Sequence, residues 1–246
     1  LALAGFFLAS TQYTYKAALF VPMLVVAFVG SEIVADRGFL RQNWRGLIFC
    51  AFVAVLFFAP LGLYFAAHPD QFLERPSTVA VASSGASTLV DNALKVAGMF
   101  FWRGDDNPRS NLPGRPLLDP FLAIGFIAGL VTCVAQIRKR ESRFLLLWLI
   151  VMALPSVLTD FAPHFGRDIG AVPVIPLIVA YGLNAIIDRV KLRWQLLTAY
   201  GLLFTGLAFS AYSTIDAYFN VWGTRTGLFD SFDVGILTLA QKLHGQ

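Results

Sequence analysis

Six stretches of this chain, residues 17–35, 44–67, 119–137, 143–159, 172–187 and 195–214, are long and apolar enough, or nearly so, to fill the hydrocarbon of a bilayer. Their few charges stand at their ends. A spanning helix needs about 20 mostly apolar residues, because with water excluded each backbone N–H and C=O must find its partner inside the segment. The expected fold is therefore all-α, a polytopic transmembrane helix bundle of about six full spans. Residues 1–9 read as the end of a further, partial span at the start. Composition agrees: 57% of residues are hydrophobic and 14% charged, and the mean hydropathy is +0.67, outside the range of ordinary soluble domains. The chain opens at Leu1, inside an apolar run and without a methionine, so it is expected to be part of a longer protein.

The charges give the bundle an orientation. Arg37, Arg41 and Arg45, then Arg138, Lys139, Arg140 and Arg143, then Arg189, Lys191 and Arg193 crowd three short connections, ten of the nineteen Lys and Arg residues. Only Glu32, Asp36, Glu141 and Asp188 of the fifteen acids lie near them. The positive-inside rule makes these connections cytoplasmic. Alternation then puts residues 10–16, 68–118, 160–171 and 215–246 together on the extracytoplasmic face. The domain reading is a bundle over 1–214 with an outer loop at 68–118, followed by the start of a C-terminal outer segment at 215–246. The net charge of +4 thus reports topology, and no nucleic acid is expected as a partner.

Several local features add to this frame. Cys50 and Cys133 fall in apolar runs and read as small buried hydrophobes, with no disulfide framework or thiolate metal site expected. Pro22, Pro60, Pro155, Pro173 and Pro176 lie within spans and are expected to kink them. Leu89–Trp102 has helical spacing, with Leu89, Val90, Leu94, Ala97 and Phe101 apolar and Asp91, Asn92 and Lys95 polar, and reads as an amphipathic helix in the outer interface. Residues 77–88, small and hydroxyl-rich, read as a mobile segment.

Three outer stretches carry chemistry. Tyr13, Tyr15 and Lys16 could hold an anionic head group by a point charge and two phenolic hydrogen bonds, or simply form an aromatic belt with a snorkelling lysine. Between Phe101 and Pro120, a run of prolines and glycines forces a succession of turns. There Arg103, Asp105, Asp106, Asn111 and Arg115 offer amides and carboxylates for sugar hydroxyls and guanidinium forks for phosphate. The adjacent Asp105 and Asp106 could also take a divalent cation, although turns use Asp and Asn as freely. The short stretch from Asp160 to Asp168 contributes His164 and Arg167; a lone loop histidine is usually solvated, so a functional reading requires Arg167 to be drawn inward beside the imidazole. Neither a GxSxG, an HExxH nor a cysteine–histidine pair supports acyl-transfer chemistry.

These residues also occur in a familiar order. Tyr13-Thr14-Tyr15 before a prolyl span, Phe57-Phe58-Ala59-Pro60-Leu61-Gly62-Leu63-Tyr64-Phe65, His68-Pro69-Asp70-Gln71-Phe72, Phe101-x-Arg103-Gly104-Asp105, Asn111-Leu112-Pro113-Gly114-Arg115-Pro116 and Pro163-His164-Phe165-x-Arg167 follow one another. The chain resembles the C-terminal membrane half of the bacterial dolichyl-phosphate-mannose-protein mannosyltransferase-like proteins, the family 39 glycosyltransferases of the GT-C fold. The resemblance implies a multi-pass enzyme of the bacterial plasma membrane. Such an enzyme takes a sugar from a polyprenyl-phosphate carrier and transfers it, at the extracytoplasmic face, to a lipid, glycan or protein acceptor. It also implies that the catalytic acid belongs to an outer loop preceding Leu1, so that this portion alone is inactive. The rival is a polytopic transporter or lipid flippase of the cell envelope, which would be expected to carry ionisable groups near the bilayer midplane. A structural subunit of an envelope assembly is a third reading.

Overall fold

A computed structural model describes residues 1–70, 86–159 and 161–244, with the side chains of Lys16 and Ala86 outside that description. Most of the stretch 77–88, expected to be mobile, also lies outside the described residues. Among the described residues the chain is all-helical. Ten α-helices follow in order: α1 Ala2–Thr11, α2 Phe20–Ala35, α3 Phe39–Ala67, α4 Ala86–Gly98, α5 Pro120–Ala135, α6 Arg140–Val157, α7 Val174–Ile187, α8 Arg193–Asp216, α9 Gly227–Ser231 and α10 Val234–His244. Four helical segments are long and apolar enough to cross a membrane: Ala17–Ala35, Phe39–Ala67, Ile169–Ile187 and Arg193–Trp222. The other two expected spans are shorter or more charged. α5 has 16 residues, and α6 carries Arg140, Glu141 and Arg143 in its first turn.

α5 and α7 form the tightest helix pair. Gly125 and Gly129 lie one turn apart on α5 and meet Gly182 of α7, so the two backbones come close together. A Cβ on Gly182 would stand 2.0 Å from the Gly125 carbonyl oxygen, and one on Gly129 would stand 2.0 Å from that of Ile178. Small residues at such a crossing allow the close van der Waals packing that holds helices together in lipid, where burial of apolar surface supplies little drive. Around this pair lies the core of Phe126, Met152, Val174 and Ile178, into which the segment after α4 inserts Met99 and Phe100. Phe100 stacks on Phe126 at 4.8 Å. α3, by contrast, buries none of its side chains and packs chiefly on α1, where Gly5 sits against the Cys50 carbonyl.

Side-chain bonds sort the helix ends onto two faces. On one, Glu32 at the end of α2 pairs with Arg143 and, at 3.2 Å, with Arg140 at the start of α6. The Tyr181 hydroxyl donates to the Gln136 amide oxygen at 2.9 Å on the same side. On the opposite face, the Asp119 carboxylate accepts from the Phe121 and Leu122 N–H groups and caps α5. Its other oxygen accepts from Ser210 of α8. The Tyr13 hydroxyl donates to the Phe57 carbonyl of α3 at 2.9 Å.

Two local expectations are corrected. Pro22 and Pro176 stand in the first turns of their helices and Pro173 caps α7, where a missing N–H leaves no bond unmade; only Pro60 and Pro155 are interior. In α4, Asn92 does not face water with Asp91 and Lys95: it is buried. Its amide donates to the Val157 and Thr159 carbonyls at 3.1 and 2.8 Å, satisfying acceptors that the end of α6 leaves orphaned. Val90, Leu94 and Phe101 form a separate exposed apolar stripe.

Candidate functional site

The segment from Met99 to Leu118 is a closed loop built from its own backbone. Leu117 and Leu118 N–H groups donate to the Met99 and Phe100 carbonyls at 2.9 and 3.0 Å, which shuts its base. Higher up, Gly104 N–H donates to Gly114 O and Gly114 N–H to Asp105 O, making a waist. Both glycines are required there. Gly114 has φ +74°, and a Cβ on Gly104 would stand 2.0 Å from the Arg115 carbonyl oxygen and 2.7 Å from the Phe165 ring. Gly104 thereby lets this loop press onto the one between α6 and α7.

Asp105 sits at that junction, 4% exposed. One carboxylate oxygen accepts from the Asn107 N–H at 2.8 Å, the other from the Phe165 N–H at 3.1 Å, with His164 Nδ1 3.9 Å away. Asp105 is therefore a clip between two loops. Asp106 points outward to Arg103, an exposed pair at 3.0 Å, so the adjacent carboxylates do not converge on one cation. No group of three or more His, Cys, Asp or Glu residues suited to a metal occurs among the described residues. Asn111 turns its side-chain oxygen to the Leu112 N–H. The loop tip is fastened to the C-terminal segment by the Trp222 indole N–H on Pro108 O at 2.8 Å and by Arg109 on Asp233 at 2.8 Å.

The loop between α6 and α7 holds the unusual chemistry. Ser156, on the last turns of α6, accepts from the His164 N–H at 2.8 Å. The Arg167 and Asp168 N–H groups both donate to His164 O. Asp168 is 3% exposed, and neither of its carboxyl oxygens has a hydrogen-bond partner; His164 Nδ1 and Arg167 Nη1 are likewise buried and unpartnered. Burial pushes the Asp168 carboxyl up to about 8. Hydrogen bonding from the Ser156 hydroxyl and N–H, too long to count as full partners, and the Arg167 guanidinium favour the ionised form, while Asp105 disfavours it.

Asp105, His164 and Arg167 are thus brought together, and the turn Lys16–Leu19 packs against the turn Ile169–Ala171 beside them. Tyr15, which precedes that turn, is exposed. Lys16's side chain is outside the described residues, and Tyr13 is occupied by α3. Arg115 is half buried and makes no side-chain hydrogen bond or ion pair among the described residues. Sequence reading passes over Ser156 and reaches Asp168 only as the end of the outer stretch and a fallback base beside Asp105, Asp106 and Asp160. The one available signal for Asp168 was its position directly before an apolar span, where a carboxylate faces desolvation.

An apolar groove of about 630 Å³ runs between α5, α7 and α8. It is roofed by Leu117 and Leu118 and walled by Leu122, Val172, Val179 and Leu207, with Asn184 and Tyr200 as its polar lining. Leu117 follows Arg115 by two residues, and Val172 follows Asp168 by four, so both polar segments lead directly into the groove. Set against models of known protein families, curated proteins and solved structures, the chain finds no match.

Proposed function

We propose that this chain is the membrane portion of a glycosyltransferase that moves a sugar from a polyprenyl-phosphate carrier to an acceptor at the extracytoplasmic face. In this reading α5 and α6 complete about six spans in a GT-C-type bundle. The catalytic carboxylate lies before Leu1, as the family resemblance implies. The observation that carries the proposal is one pairing: buried, unpartnered Arg167 and His164 atoms belong to the loop that leads, five residues after Arg167, to Val172, part of the lining of an apolar groove with room for an isoprenoid chain. An amphiphile with an anionic head and a long tail fits both. Arg167, with Arg115, would stabilise the phosphate as it departs from the sugar. The transporter reading is less well served, because charged groups of the membrane helices gather at the two faces, as with Glu32 and Arg143 at one and Asp119 at the other.

The test is binding of a polyprenyl monophosphate to the chain in lipid nanodiscs. Arg167→Ala should weaken it at least tenfold, the scale of one charge-assisted contact, whereas Arg138→Ala, on the opposite face, should leave it unchanged. Equal effects would remove Arg167 from the site.

A further inference from the structure

The three unpartnered groups of the α6–α7 loop are not equivalent. A phosphate dianion satisfies Arg167 Nη1 and, in the tautomer that carries its proton there, His164 Nδ1, since both donate. A carboxylate at Asp168 would instead repel it, and would do so from a site with almost no solvent to screen the charge. Yet Asp168 is the most deeply buried member, and both of its oxygens lack a partner. A carboxylic acid that keeps its proton resolves this conflict, because its O–H is a donor and its remaining lone pairs demand less than a charge does.

We infer that Asp168 is held as the neutral acid and donates a hydrogen bond to a phosphate oxygen of the polyprenyl-phosphate carrier, beside Arg167. This rests on the function proposed above and assigns its head-group recognition to a residue outside the loop motifs. The desolvation that raises the Asp168 pKa to about 8 supports it. Such an acid keeps its proton through neutral pH and loses it as the pH rises past that value, so affinity is present below and lost above. The other groups around it are Arg167 and His164 on its own loop and Asp105 from the 99–118 loop; the turn Lys16–Leu19 packs on residues 169–171. Ser156 of α6 does not titrate. A range of pH 7.5 to 9.5 brackets that value, and comparison with Asp168→Asn, which cannot ionise, isolates Asp168 from every other group.

The experiment measures binding of polyprenyl monophosphate, and of the phosphate-free polyprenol, to the whole chain in phosphatidylcholine nanodiscs across that pH range. Wild type should lose affinity about tenfold or more between pH 7.5 and 9.5. Asp168→Asn, whose amide also donates but cannot ionise, should bind within a few-fold of wild type at pH 7.5 and stay flat. Thermal unfolding of both proteins at each pH checks that the fold is intact. A flat wild-type profile, or a parallel fall in Asp168→Asn, would overturn the assignment while leaving the carrier as ligand. Polyprenol binding as tightly as its phosphate, or no binding of either at any pH, would overturn the functional reading and the assignment with it.

Discussion

Gly129→Ala adds a single methyl group, and the structure says what it meets. The new Cβ would lie 2.0 Å from the Ile178 carbonyl oxygen and 2.8 Å from that residue's carbonyl carbon and Cγ2. Because the obstacle is largely backbone, no rotamer change relieves it; α7 has to retreat by about 1 Å, more than dispersion contacts between the helices tolerate. Overpacking of this kind costs about 1–3 kcal/mol, offset by about 0.5–1 kcal/mol from the better helix propensity of alanine. With a backbone obstacle the cost lies at the upper end, so the net is about 2 kcal/mol, which corresponds to a fall in Tm of about 4–8 °C for a chain of this size. Thermal unfolding in nanodiscs can be followed with a thiol-reactive dye on fully buried Cys133 in a Cys50→Ser background. Gly30→Ala and Gly201→Ala are the controls, since nothing lies within 4 Å of either added Cβ, and neither should lower Tm. If Gly129→Ala matches Gly201→Ala, the glycine crossing is not what holds α5 to α7.

Further outcomes follow from the polar contacts. Asp105→Ala deprives the Asn107 and Phe165 N–H groups of their acceptor. At about 1–3 kcal/mol for each buried donor left unpaired, it should lower Tm and expose the 99–118 loop to protease, and ordinary Tm and proteolysis rates would refute the clip. Glu32→Ala strands the largely buried Arg143 and should cost about 3–5 kcal/mol, whereas Glu32→Leu with Arg143→Leu should recover most of it, as measured by the same dye assay. Stability itself should fall as pH rises from about 4 towards 8, because folded Asp168 holds a proton that the unfolded chain has released. Asp168→Asn should flatten that slope in thermal scans at successive pH values.

Much of the architecture was legible because lipid leaves few choices. Long apolar stretches must be helices, and four helical segments are long and apolar enough to cross a membrane. Boundaries were less legible: the stretch at 119–137 yields a 16-residue helix because Asp119 caps it at one end and a turn follows Ala135. The α5–α7 crossing was carried by Gly125 and Gly129, but a glycine pair by itself does not say which partner it meets. Within the site, His164 and Arg167 were readable as the polar residues of a short loop. The role of Asp105 was not, since its carboxylate is consumed by N–H groups that only the folded waist presents. Asn92 looked like part of a wet face because helical spacing cannot foresee that the orphaned carbonyls of α6 lie beside it. Asp168 depends on burial, of which its place directly before an apolar span was the one local sign.

The most direct measurement for a polyprenyl-phosphate site is photocrosslinking with a carrier analogue bearing a diazirine on its isoprenoid tail, followed by mapping of the labelled peptides. Labels are expected on the groove walls of α5, α7 and α8, at residues such as Leu122, Val179 and Leu207. They should be competed away by unlabelled polyprenyl phosphate, survive phosphatidylglycerol, and be lost in Arg167→Ala. Labels spread over the exposed residues of α3, such as Phe52 and Val55, and indifferent to competitor would contradict the site.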